Sequence, residues 1–196
     1  MDKNTKKSLL FGAVVGGLFA LGRNAGEKQK LTPGQLKDVD ALGAAFVQLQ
    51  NAASDRSISD TGKLIAEKGP EKKYSDILAY LVVRIHAQED YLAVIDNFKN
   101  RLDQVLSTRF TAERANAKTH EVQSQFSSLA PLPDRMEEFI NKRIQILRHI
   151  QHMYLYISNG EAEKSKPEDD AALQTLVGEY QALELRTTGL LKNVTL

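Results

Sequence analysis

Apolar side chains recur at steps of three and four through most of this chain, and the steps resolve it into helices. Thr32-Pro33-Gly34-Gln35 reads as a helix start, with Thr32 as cap, Pro33 at the first helical position and Gln35 closing a capping box. Leu36, Val39, Leu42, Phe46 and Leu49 follow as its apolar stripe, and Ser54-Asp55 ends it. Ser59 or Asp60 then caps a short helix carrying Leu64 and Ile65, which Gly69-Pro70 stops.

A long helix begins near Glu71. Tyr74, Ile77, Leu78, Leu81, Ile85, Leu92, Ile95, Phe98, Leu102, Val105 and Leu106 form its stripe, broken at Gln88. Residues 107–128 are polar, with few anchors there and just beyond: Phe110, Val122, Phe126 and Leu129. They read either as an exposed helical extension or as a frayed connector. Ala130-Pro131-Leu132-Pro133 ends that stretch.

Asp134 caps the next helix, whose stripe is Met136, Phe139, Ile140, Ile144, Leu147, Ile150, Tyr154 and Ile157. Ile146 and Met153 widen the stripe, while Arg143 and Arg148 are read as lying off it. Asn159-Gly160 is a C-terminal stop. A charged loop from Glu161 to Asp170 leads through Pro167 into a last helix bearing Leu173, Leu176, Val177, Tyr180, Leu183, Leu190, Leu191 and Val194. No strand-like alternation and no internal repeat accompany these patterns. Helices with one apolar stripe each must pair to bury it. The expectation is an all-α chain whose residues 32–196 form an antiparallel four-helix-bundle-like domain.

Ahead of that domain stands Ser8–Gly22, fifteen residues without a charge, bounded by Lys6, Lys7 and Arg23. Residues 1–22 are taken as a basic N-terminus with a membrane helix over 8–22, and 23–31 as a polar linker. Four fates compete for the apolar run: a retained membrane helix, a cleaved signal peptide, a helix buried in a soluble core, and a helix sheltered first and released into a membrane later. As a helix it is roughly 22 Å long, short against a hydrocarbon core of about 30 Å. Its basic flanks fit snorkelling to the headgroups, and they fit the basic start of a signal peptide too.

Glycine shifts the balance toward lipid. Each mid-helix glycine costs about 1 kcal/mol in water, whereas in a bilayer small residues let helix backbones approach. Gly12-x-x-x-Gly16 and Ala13-x-x-x-Gly17 lay two small stripes side by side. Gly12, Ala13, Gly16 and Gly17 are therefore the candidate helix–helix, and hence oligomer, contacts. The expectation is a single-pass protein of the cell membrane held by residues 8–22. Three lysines precede the run, and Arg23, Lys28, Lys30 and Lys37 follow it. That favours the bulk of the chain on the exported side over the cytoplasmic side only slightly.

Charge is uneven along the chain. Of 26 basic and 25 acidic residues, six and two fall in residues 1–30, a net +4, which leaves 20 and 23, a net −3, for the rest. An acidic domain is no evident nucleic-acid binder, and the basic end suits an anionic membrane surface. The absence of cysteine excludes disulfides, thiol catalysis and cysteine metal sites.

Candidate chemistry is thin. His149 and His152 share a helix side, as do His86 and Glu89, and such pairs in a bundle converge on metals when the ligand set is complete. No Glu-x-x-His occurs, so the di-iron pattern is incomplete. Glu89-Asp90, Glu137-Glu138 and Asp169-Asp170 are sequence neighbours that point to different helix sides. No nucleophile elbow, phosphate loop or dinucleotide fingerprint is present. Tyr154 and Tyr156 fit an interaction surface or a half-buried position with a wet hydroxyl. Arg101, Arg109, Arg114 and Lys118, interrupted by Asp103, Glu113 and Glu121, read as a solvated face.

No catalytic residue, cofactor or metal is therefore expected. The leading expectation is a non-enzymatic, membrane-tethered helical accessory or scaffold protein. Its protein partner is unknown, with self-association among the options. One alternative is a membrane-active, pore-forming effector that aligns its glycine stripes. In layout, a glycine-rich apolar helix ahead of a helical bundle resembles the cell-death bundles of the HeLo type. Another is an exported helical ligand-binding protein released by signal cleavage.

Overall fold

The computed structural model describes residues 31–113, 117–162 and 167–193, and within them the chain is an all-α helical bundle. Its helices are α1 (Pro33–Ala53), α2 (Ser57–Lys68), α3 (Tyr74–Leu106), α4 (Thr108–Glu113), α5 (Ala117–Ser127), α6 (Leu132–Ser158) and α7 (Pro167–Asn193). Seven described segments thus stand where the stripes predicted four principal helices and one short one. Ser8–Gly22, with Gly12, Ala13, Gly16 and Gly17, lies outside the described residues, as does Val194. Among the described residues no helix is long and apolar enough to cross a membrane.

The described residues of Met1–Gln50, Val94–Pro133 and Gly189–Leu196 form one compact unit. Those of Asn51–Ala93 and Asp134–Thr188 form a second.

The first unit begins with the expected capping box. Thr32 N–H donates to Gln35 Oε1 at 2.9 Å, and Gln35 N–H donates to Thr32 Oγ1 at 3.1 Å. Gln35 is itself buried and its Nε2 donates to the Phe110 carbonyl, so the cap also anchors α4. Val39, Leu42, Phe46 and Leu49 of α1 and Ile95, Phe98, Leu102 and Val105 of α3 are buried, with Phe46 and Phe98 rings 5.8 Å apart.

Here the structure corrects the reading of 107–128. It is neither an exposed extension of the long helix nor a frayed connector. Ser107 ends α3, and its Oγ donates to the Gln104 carbonyl at 2.7 Å. Two short helices follow, and Phe110, Val122, Phe126 and Leu129 are all buried. Gln123 Nε2 donates to the carbonyls of Val105 and Ser107, both at 3.0 Å, and so pairs acceptors that the end of α3 leaves free. Few anchors suffice because each is large.

The second unit packs α2, α3 up to Ala93, α6 from Asp134 and α7 up to Thr188. Several boundaries move from their expected places. The N-cap of α2 is Arg56, without a side-chain cap bond, rather than Ser59 or Asp60; Asp55 Oδ1 accepts the Ser57 N–H at 2.8 Å just ahead of the helix. Helix α3 starts at Tyr74 rather than Glu71, after a turn in which Lys72 sits at φ 57°. Helix α6 starts at Leu132, two residues before Asp134, with Pro133 near its first turn where a missing N–H costs nothing. The Asn159-Gly160 stop is a Schellman motif. Gly160 has φ 74°, Glu161 N–H donates to the Tyr156 carbonyl at 2.9 Å, and Gly160 N–H to that of Ile157 at 3.1 Å.

Candidate interaction surface

Two neighbourhoods of the second unit carry what its sequence can do, one polar and closed, the other apolar and partly open. The closed one centres on Arg143. Read as lying off the α6 stripe, Arg143 is instead fully buried, at 0% exposure. Its neighbours explain how a cation is tolerated there. Nη1 donates to the Ala52 carbonyl at 2.7 Å and Nη2 to that of Ala53 at 2.8 Å. These are the last carbonyls of α1, which a helix leaves unpaired and partly negative. Nε donates to the Tyr180 hydroxyl at 3.3 Å. The guanidinium lies 4.2 Å from the Phe139 ring centre, and Phe139 and Tyr180 stack 5.2 Å apart. Arg143 thus serves as a C-terminal cap supplied from another helix.

Asp55, two residues beyond Ala53, completes this neighbourhood. Oδ1 accepts from Gln88 Nε2 at 2.9 Å and Oδ2 from the Tyr91 hydroxyl at 3.4 Å. Burial alone pushes the Asp55 carboxyl up. Hydrogen bonds from Ser57 and Gln88 and the charge of Arg143 more than offset this and hold it below its usual value of 3.8. Burial, followed by the Asp55 charge, pushes the Tyr91 phenol up from 10.0. Gln88 is therefore no random break in the α3 stripe. It is fully buried and spends its amide on the carboxylate that turns the chain from α1 into α2. Most of these groups hold backbone or another member of the set, while Gln88 Oε1 and Ser57 Oγ are buried without a hydrogen-bond partner.

The open neighbourhood lies along the later part of α6. Met136, Phe139, Ile140, Ile144, Ile146 and Leu147 are buried. From Ile150 onward none of the large apolar residues is. Ile150, Met153, Tyr154, Tyr156 and Ile157 are half-buried, and Leu155 is 44% exposed. Ile77, Leu81, Ile85 and Leu147 form a buried cluster here, and Ile58, Leu64, Ile65, Tyr74, Ile150 and Tyr154 pack against it without being closed over. The Tyr74 and Tyr154 rings approach to 6.1 Å, and burial followed by the Tyr74 charge pushes the Tyr154 phenol up from 10.0. Tyrosine and methionine in a partly wet apolar setting are the residue types enriched where proteins meet. Half-buried apolar residues grouped around one buried cluster are more informative than a scattering of single exposed ones.

The other candidate groups separate. His86 Nδ1 lies 3.1 Å from Glu89, whose second oxygen accepts from Arg148 at 2.6 Å. His149 Nε2 lies 2.8 Å from the Asp169 carbonyl oxygen. His152 stands edge-on to Tyr156, centroids 4.6 Å apart. Among the described residues no group of three or more His, Asp or Glu side chains is placed to hold a metal ion. Tyr154 and Tyr156 are half-buried. Arg101 and Arg109 are exposed, while Arg114 lies outside the described residues. The closed polar set escaped sequence reasoning, and its only trace was Gln88 interrupting an apolar series. No family model, no curated protein and no solved structure matches this chain.

Proposed function

We propose that this protein is a membrane-tethered helical interaction protein, an accessory subunit or scaffold without catalytic activity of its own. In this reading Ser8–Gly22 is a single-pass anchor in the cell membrane, with the bulk of the chain on the exported side. An antiparallel bundle is the working part, and the half-covered apolar surface of α6 meets the partner, a second copy of the chain among the options. The observation that carries the proposal is the fifteen-residue uncharged run bounded by Lys6, Lys7 and Arg23. The open apolar surface supports the interaction half of it. The test is fractionation with determination of the mature N-terminus. The expected result is a protein that sediments with membranes, resists high-salt extraction and retains Ser8–Gly22. A freely soluble form beginning near Arg23 overturns the proposal.

The paired small stripes Gly12/Gly16 and Ala13/Gly17 favour a second reading, a membrane-active effector whose copies align these helices. Dye release from liposomes that is lost in Gly16→Leu supports it, and release unchanged in that variant removes the mechanism.

A further inference from the structure

We draw no further inference here: the strongest candidate, the outward stripe of α7 in which Ala171, Thr175, Gly178, Ala182 and Leu185 recur exposed at steps of four and three, is an unpartnered face of small residues, and nothing in the structure shows what covers it.

Discussion

The two halves of α6 have similar apolar patterns and opposite surroundings. Met136, Phe139, Ile140, Ile144 and Leu147 in the first half are buried, whereas Ile150, Met153, Tyr154, Leu155 and Ile157 in the second are not. Both halves present apolar residues at steps of three and four, so periodicity cannot be what separates them. The first half has Arg143 tied to the end of α1 and Phe139 stacked on Tyr180. The second half has the short helix α2 and the start of α3 against it, where Ile77, Leu81 and Ile85 are buried but Ile58, Leu64, Ile65 and Tyr74 are only half-buried. A stripe states that a helix has something to bury. How much it buries depends on the bulk of what stands opposite.

The largest expected effect is on the closed half. Arg143→Ala strands the Ala53 carbonyl, leaves that of Ala52 only the 3.4 Å bond from the Asp55 N–H, and opens a cavity beside Phe139 and Tyr180. We expect a loss of about 3–5 kcal/mol in urea unfolding. A loss under about 1 kcal/mol would show that the guanidinium is not holding the end of α1. The contrast between the halves is sharpened next. Leu147→Ala is expected to cost about 2–5 kcal/mol and Ile157→Ala about 1 kcal/mol or less, because the latter removes atoms already in partial contact with water. Equal losses at the two sites would erase the distinction drawn between them.

A smaller effect concerns pH. The Asp55 carboxyl is held below 3.8 in the folded protein, so the folded state binds its proton less readily than the unfolded chain. Its contribution is fully present above the unfolded value near 3.8 and is lost as pH falls through the lower folded value. Asp55→Asn should therefore lower stability at neutral pH and flatten the acid side of the stability profile. An acid limb of unchanged slope in that variant would assign the pH dependence to other carboxylates.

The smallest effect lies in the turn before α3. Lys72 holds φ 57°, a region that glycine enters without the steric cost a side chain pays there. Lys72→Gly is expected to raise stability by about 1 kcal/mol or less, read as a higher urea midpoint, because relief of the left-handed conformation outweighs the extra freedom of glycine in the unfolded chain. Nearby Gly69 is a different case: a Cβ there would stand 2.7 Å from the Ile65 carbonyl oxygen, so Gly69→Ala should lower the midpoint.

Much of the fold was legible locally. The capping box at Thr32 and Gln35, the Schellman stop at Gly160 and the helical stripes depend on residues within a turn or two of each other, and the structure forms them as the sequence predicts. The helix-capping role of Arg143 was not legible, because its partners Ala52 and Ala53 are about ninety residues away and offer only carbonyls, which every residue has. Nor was the burial of Phe110, Val122 and Phe126, whose polar surroundings in sequence resemble a solvated connector. Sequence by itself determined that the described chain is helical, where α1 and α7 begin and where α2 and α6 end, since hydrogen bonding, capping and side-chain spacing act over one or two turns. Only the tertiary structure decided which apolar residues are closed over and which polar ones are drawn inside. Burial is a property of what lies across from a side chain, and that neighbour comes from a distant part of the chain.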